Sequence, residues 1–243
     1  MTIQETSITV NYNKIDGIKR AYYNNEEILK EFFNEATVLP VPDDAPVEIP
    51  RIIIKTLNEH AQLNISPVAT TFLVRYDSGY EENWKECAEY IKKRMAPVFK
   101  LLNTLTNNNY NYIGLVSNVI YDEVKSGSAE KLTNTLLNSQ KIKDIYDIYI
   151  KYTFTENENM FVNIILQNAR IFKEGTVFDT PGALRISEQV SESIGAIIDI
   201  NDRYGFNNCE NYQSSCEKLE ELMSCMSNII ENKLAKLIED GEY

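Results

Sequence analysis

The residues of this chain that most resemble a catalytic set are three charged side chains at the end of a predicted strand. Asp122, Glu123 and Lys125 follow a run of β-branched and aromatic residues. Metal-dependent nucleases use a Glu-x-Lys pair beside a second acid to hold Mg²⁺ and to position a lysine. On a strand, Glu123 and Lys125 would share one face. An ordinary solvated strand end is the other interpretation, so a metal-dependent hydrolase or nuclease is an alternative function.

Two further motifs are weaker. Asp179-Thr-Pro-Gly182 occurs in nucleotide hydrolases, but none of the nine glycines has the spacing of a phosphate-binding loop, so a β-turn is predicted. His60 is the only imidazole available to a Ser-His-Asp or Cys-His mechanism. Because it falls between two short predicted strands, we expect an exposed turn histidine and no histidine-based catalysis.

The cysteines do not indicate a metal site. Cys87, Cys209, Cys216 and Cys225 include no C-x-x-C pair, and the chain has a single histidine. Reduced, mostly buried thiols are the expectation. We predict neither a metal nor another cofactor.

Tyrosine is unusually frequent, with 15 residues against 9 phenylalanines. Amphipathic aromatic side chains are enriched at protein interfaces. Tyr110, Tyr112 and Tyr121 lie on one segment, and Tyr146 and Tyr149 lie on another. These five residues are the candidate interaction surface, although partly wet sheet packing also explains them.

The charge composition indicates which classes of partner are unlikely. Twenty-four Lys and Arg against 36 Asp and Glu give a net charge of 24 − 36 = −12, which makes nucleic acid an unlikely partner. An acidic mimic of nucleic acid is a further alternative, provided that the carboxylates concentrate on one face. The first residues contain no basic segment followed by an apolar run, and no apolar stretch could span a bilayer. We therefore expect a cytoplasmic protein with no membrane partner.

The elements that would position these residues mix strand and helix patterns. A strand is predicted over 6–12 and a short helix over 25–33. Four of the seven prolines fall in 39–50, which predicts an extended connector. Three β-like runs follow closely at 51–57, 62–66 and 70–76. Their spacing is too short for parallel crossovers, so antiparallel pairing is predicted.

Helical spacing of apolar residues predicts two long helices, over 81–105 and 212–238, and a smaller one over 128–137. Two alternating runs, 146–154 and 160–172, flank a short polar turn and predict a hairpin. Further strands are predicted over 112–124 and 184–200.

The order of several segments is similar to that of a known family. The segments are Ala45-Pro-Val-Glu-Ile-Pro, the strand pair at 62–66 and 71–76, Tyr80-Glu-Glu-Asn-Trp-Lys before the long helix, and the strand from Tyr112 to Ile120. Over residues 45–200 the chain resembles a sporadically distributed, uncharacterised family of bacterial proteins. Family members have Gly-Leu-Arg-Tyr-x-Asn in that strand, whereas here Gly114-Leu115 is followed by Val116, Ser117 and Asn118.

The resemblance implies an α+β fold with an antiparallel sheet and a bacterial, accessory or defence-associated role. It implies no catalytic residue and no cofactor. From the residues themselves we predict a curved, mainly antiparallel sheet with two long helices packed on it. Residues 1–44 would form an N-terminal arm and connector, and 45–243 the main domain. The leading hypothesis is a non-catalytic interaction protein that binds a protein partner or forms a homo-oligomer.

Overall fold

The computed structural model describes residues 1–42, 44–77, 79–121, 124, 127–137, 142, 144–172 and 189–243. Within them the chain forms one nine-stranded sheet, with every neighbouring pair of strands antiparallel, and several helices. The predicted α+β class with an antiparallel sheet is confirmed. A curved sheet was predicted, but the sheet is not strongly curled. Most of the helices are short.

The strands occur along the chain in the following order: β1 (Thr2–Asn11), β2 (Thr37–Val38), β3 (Ile52–Lys55), β4 (Ala61–Ile65), β5 (Ala69–Arg75), β6 (Tyr112–Tyr121), β7 (Tyr149–Glu156), β8 (Met160–Phe172) and β9 (Gln189–Asn201). Across the sheet their order is β2-β3-β4-β5-β1-β6-β9-β8-β7. The two edges of the sheet are therefore β2 and β7.

The helical elements are α1 (Ile18–Tyr23), a 3₁₀ turn (Glu26–Leu29), α2 (Trp84–Thr106), α3 (Ser128–Leu137), α4 (Arg203–Asn208), α5 (Lys218–Asn228), a π turn (Ile229–Lys233) and α6 (Leu234–Asp240). Asn83 caps α2 by accepting hydrogen bonds from the backbone N–H groups of Lys85 and Glu86. α2 continues through Pro97, and the helix expected over 25–33 is reduced to the 3₁₀ turn.

The first strand lies in the middle of the sheet. β1 pairs with β5 on one side and with β6 on the other, although β6 is far away in sequence. Residues 1–11 therefore share a core with the rest of the chain. The division into residues 1–44 and 45–243 stays a prediction.

A row of apolar side chains joins the two halves of the sheet. From β3 to β8 the row has no solvent exposure and comprises Ile54, Leu63, Phe72, Ile8, Leu115, Ile200 and Val162. Helices α3 and α5 pack on the sheet, and α2 contacts α5. Because burial of each such side chain contributes about 1.5–3 kcal/mol, this row is a major part of the core.

The opposite face of the sheet is more polar. The next row along the strands is half-buried or exposed and comprises Asn64, Thr71, Thr9, Gly114, Asn201, Phe161 and Thr155. The alternation of these two rows is the period-two pattern of strands with one face in the core.

The second long helix differs from the prediction. The segment expected to be one helix over 212–238 begins its helix at Lys218 and contains the π turn between α5 and α6. Buried Met226, Ile230 and Leu234 are spaced four residues apart. Two turns of a regular α-helix need only about 7.2 residues, so the extra residue is accommodated by the π turn.

Candidate functional site

The candidate site is the free edge of β7. This strand has eight residues, and all eight are matched one to one with β8 from Tyr149↔Gln167 to Glu156↔Met160. No described residue pairs with its outer side, since β7 ends the strand order. An edge strand of this length presents a row of unpaired backbone donors and acceptors to another chain.

The segment leading into β7 is held by side chains of β8. The backbone N–H of Ile148 donates to Oδ1 of Asn168 at 2.9 Å, and Nδ2 of Asn168 donates to the carbonyl of Tyr146 at 3.3 Å. The Arg170 guanidinium lies 3.9 Å from the centre of the Tyr146 ring and forms an ion pair of 2.9 Å with Asp147. These bonds explain why the predicted strand start at 146 moves to 149.

Hydrogen bonds at both ends of β7 fix the direction of its backbone groups. The N–H of Ile148 points to β8, and the carbonyl of Glu156 accepts from Asn159 N–H inside the hairpin turn. In an antiparallel strand the direction alternates at each residue, so the even-numbered residues from 148 to 156 bond to β8. The outward groups then belong to Tyr149, Lys151, Thr153 and Thr155.

The side chains of β7 suit pairing with a further strand. Tyr149 is 62% exposed, and Lys151, Thr153 and Thr155 are exposed on the same, polar face of the sheet. On the face toward the C-terminal helix, Ile150, Tyr152 and Phe154 are half-buried, and the rings of Tyr152 and Phe154 stack at 6.1 Å.

Four side chains, which we term the Glu156 clamp, join β7 to the C-terminal helical segment. Glu156 lies on β7, Cys225 on α5, Lys233 in the π turn, and Tyr243 after α6. The Cys225 thiol donates to Oε2 of Glu156 at 3.2 Å. Nζ of Lys233 and the hydroxyl of Tyr243 each donate to Oε1 at 3.3 Å. The carboxylate is therefore bonded by three donors at the end of the edge strand.

An aromatic stack completes this support. The rings of Phe154 and Tyr243 are parallel within 4°, with centroids 4.3 Å apart, and Nζ of Lys233 lies 4.0 Å from the Tyr243 centroid. Such contacts are each worth about 0.5–1.5 kcal/mol beyond simple burial. The helical segment thus holds β7 on one face of the sheet, while the free edge of β7 remains accessible to another strand.

The π turn explains how Cys225 and Lys233 meet at one carboxylate. They are eight residues apart, which on a regular α-helix separates their side-chain directions by about 80°. One inserted residue changes this by about 100°, so both side chains reach the same side of the helix. The π turn is the local feature that assembles the clamp.

The protonation states of the clamp follow from its geometry. Burial raises the pKa of Glu156, but the hydrogen bond from Cys225 and the charge and hydrogen bond of Lys233 outweigh it, so the net shift is downward. Burial, followed by the bond to this carboxylate, raises the pKa of Cys225 to about 12. Cys225 is therefore a protonated donor at neutral pH and not a nucleophilic thiolate.

The opposite edge has a different construction. β2 has two residues and pairs with β3 only through Thr37↔Ile53 and Val38↔Ile52. The proline-rich segment that follows is held by buried Arg51, whose guanidinium donates to the carbonyls of Ile49 at 2.6 Å and Ala45 at 3.1 Å. Prolines and a short strand are known devices that limit pairing at a sheet edge.

The five predicted interaction tyrosines separate into two groups. Tyr110 and Tyr121 are buried at 1% and 4% exposure, and the Tyr121 hydroxyl donates to Glu239 at 2.7 Å. Because burial prevents contact with a partner, we do not include them in the binding surface. Tyr112 is half-buried beside Phe206, whereas Tyr146 and Tyr149 lie together at the β7 edge with 58% and 62% exposure.

The candidate catalytic residues Asp122, Glu123 and Lys125 lie outside the described residues, as does the Asp179–Gly182 motif. In the part of the chain that the structure describes, no group of three His, Cys, Asp or Glu residues could hold a metal ion. His60 lies in the turn between β3 and β4, with Nε2 3.6 Å from Asp77. Of the cysteines, Cys87 is buried, Cys209 is exposed and the other two are half-buried.

Sequence reasoning missed the residues that shape the edge. Asn168 and Arg170 fall within the alternating run predicted over 160–172, which assigned them no role, and Glu156 fell in the short polar turn. The four-residue spacing of Met226, Ile230 and Leu234 was an available signal for the π turn.

In comparisons with known proteins, the chain matches no family model and no curated protein. None of the described helices is long and apolar enough to cross a membrane.

Proposed function

We propose that this protein is a binding module that self-associates by strand addition at β7. The carrying observation is the unpaired outer side of an eight-residue edge strand that is fixed from within by the Glu156 clamp. Pairing two copies of one edge gives a twofold-symmetric dimer, the commonest form of homo-oligomer. A continuous sheet of two copies would leave only the guarded β2 edges free.

The sequence of β7 selects one antiparallel register. With Tyr152 on the twofold axis, Lys151 faces Thr153 of the second copy, and Ile150 faces Phe154. Shifting the axis to Lys151 would place two lysines directly opposite each other, which is destabilising. In the chosen register the outward residues face one another as hydrogen-bonded pairs, and the two Tyr152 side chains meet on the same face.

The expected affinity is low. Four outward residues from each copy give about eight backbone hydrogen bonds, each worth about 0.5–1.5 kcal/mol net. This sum is comparable to the cost of association, so the side-chain pairs around Tyr152 determine the surplus. We therefore expect a weak monomer–dimer equilibrium that depends on protein concentration.

The test is sedimentation velocity of the full chain over a range of concentrations, with the Lys151→Pro variant. Proline removes one outward N–H and leaves the bonds to β8, because the backbone of Lys151 points away from β8. We expect a concentration-dependent dimer for the wild type and a monomer for Lys151→Pro.

Two controls isolate the effect. Lys151→Gln removes the charge without removing the N–H and should still dimerise, and Thr37→Pro places the same change at the β2 edge and should also dimerise. A wild type that is monomeric at every concentration, or a dimer that survives Lys151→Pro, would contradict the proposal.

A further inference from the structure

A second feature, remote from β7, is a cavity where β1 runs into α1. Its volume is about 410 Å³, within the range of small-molecule sites. It is lined by the loop 14–17, the first turns of α1, and by Val47, Arg51 and Pro67. It therefore lies between the end of a central strand and the proline-rich connector.

The lining has the opposite charge balance to the whole chain. Lys14, Lys19, Arg20 and Arg51 line the cavity with a single carboxylate, Asp16, whereas the chain carries 24 cationic and 36 acidic residues. Local concentration of positive charge on an acidic protein raises the local concentration of anions.

The cationic side chains are only partly satisfied. Lys14 forms an ion pair of 2.9 Å with Asp16, and both side chains are exposed. Nζ of Lys19 donates to the carbonyl of Val41 at 3.2 Å, which leaves its charge uncompensated. Arg20 is exposed, and within the described part of the chain its side chain has no hydrogen bond or ion pair.

Arg51 adds a buried positive charge to the wall of the cavity. The residue is 3% exposed, and its guanidinium donates only to neutral backbone carbonyls, those of Pro42, Ala45, Pro46 and Ile49. No carboxylate among the described residues lies within ion-pair distance of it. A buried guanidinium stays charged. The dipoles of these carbonyls alone offset the free-energy cost of removing its charge from water.

The walls of this cavity are fixed by backbone hydrogen bonds. Ile15 N–H donates to the carbonyl of Pro67 at 2.9 Å, and Tyr12 N–H donates to the carbonyl of Val68 at 3.0 Å. The Tyr12 hydroxyl also donates to the carbonyl of Ser66 at 3.0 Å. The turn between β4 and β5 thus holds the cationic loop in place, and a ligand would bind without ordering it.

We infer that this cavity binds the phosphate group of a small phosphorylated molecule. Arginine and lysine together suit phosphate, because guanidinium groups bind its oxygens in pairs and ammonium groups add point charge. Arg51 supplies a buried charge, while half-buried Lys19 and exposed Arg20 supply two more. The inference is independent of the β7 proposal.

The experiment is isothermal titration calorimetry of the full chain with inorganic pyrophosphate, with citrate as a carboxylate probe of similar charge. We expect pyrophosphate to bind, and to bind more tightly than citrate. Arg20→Glu should weaken pyrophosphate binding by at least about tenfold, since a bond to a charged group is lost and repulsion is added.

Lys100→Glu is the matched control, because Lys100 is exposed on α2 and the change in net charge is identical. It should bind pyrophosphate as the wild type does. If Arg20→Glu does not fold, as judged by circular dichroism, Lys14→Gln takes its place with a smaller expected loss. Failure of the wild type to bind pyrophosphate, tighter binding of citrate, or equal losses in Arg20→Glu and Lys100→Glu would overturn the inference.

Discussion

The two edges of one sheet are built in opposite ways. β2 has two residues and is followed by a segment with four of the chain's seven prolines, gathered around the buried Arg51 guanidinium. β7 has eight residues and no proline, and the Glu156 clamp and the Phe154–Tyr243 stack hold it from its inner side.

This difference indicates that the open edge at β7 is not a weakly ordered part of the sheet. An unprotected strand that frays would be an aggregation hazard, whereas a strand fixed on one side is a preorganised template. The same central row of buried side chains runs from β3 to β8, the strands next to the two edges, so the contrast arises from local residues and not from the core.

The largest effect on this contrast is expected from Phe154→Ala. It removes the stack with Tyr243 and part of the inner face of β7, so we expect a loss of about 2–3 kcal/mol in unfolding free energy. Val38→Ala at the β2 edge should cost less than about 1 kcal/mol. Urea denaturation of the two variants measures this difference, and equal losses would remove the distinction between the edges.

Glu156→Gln should have a smaller effect, about 1 kcal/mol at neutral pH, because it leaves the donors of the clamp with a neutral acceptor. The pKa of Glu156 is lowered in the folded state, so its stabilisation is present above the unfolded value of about 4.3 and is lost as pH falls through the folded pKa. The gap between wild type and variant should therefore narrow in acid. Exposed Glu89→Gln is the control and should change the unfolding free energy by less than about 0.5 kcal/mol at neutral pH.

Tyr149→Ala should affect association more than folding. The side chain is 62% exposed, so unfolding free energy should change by less than about 0.5 kcal/mol. Dimer dissociation should become a few-fold to about tenfold easier, because an aromatic side chain beside the new strand pair is lost. Tyr23→Ala, at a 54% exposed tyrosine on α1, is the control in the same sedimentation experiment.

The smallest effect concerns thiol reactivity. With a pKa raised to about 12, Cys225 should react with iodoacetamide at pH 8 far more slowly than exposed Cys209. Glu156→Gln removes the carboxylate that contributes to this shift and should speed the labelling of Cys225 alone. Peptide mass mapping follows each site, and rapid labelling of Cys225 in the wild type would contradict the clamp geometry.

Local pattern was enough to predict the hairpin that carries the edge. Alternation over 146–154 and 160–172 located both strands because each has one face in the core, and the β8 bounds agree with the prediction. The start of β7 was wrong by three residues. Tyr146 to Ile148 have strand-like composition but are held by the Asn168 and Arg170 side chains, which no periodicity encodes.

Long-range order could not be predicted from the sequence. That β1 lies between β5 and β6 depends on β1–β6 pairs more than a hundred residues apart, such as Thr2↔Ile120. That β7 rather than β9 ends the sheet depends on the pairing of β9 with both β6 and β8. The tyrosines show the same limit. Tyr121 and Tyr149 have similar strand surroundings in sequence, but only the position of their strands in the sheet decides that one is buried and the other exposed.

The most direct test of the β7 proposal is a symmetric disulfide at its twofold axis. In the proposed register the two Tyr152 residues form a non-hydrogen-bonded pair with Cα atoms about 4.5 Å apart, close enough for a disulfide. Under mild oxidation, the account predicts that Tyr152→Cys becomes a covalent dimer linked through position 152, as located by peptide mass mapping, while Thr37→Cys does not. A Tyr152→Cys protein that stays monomeric, or dimers linked mainly through other cysteines, would contradict it.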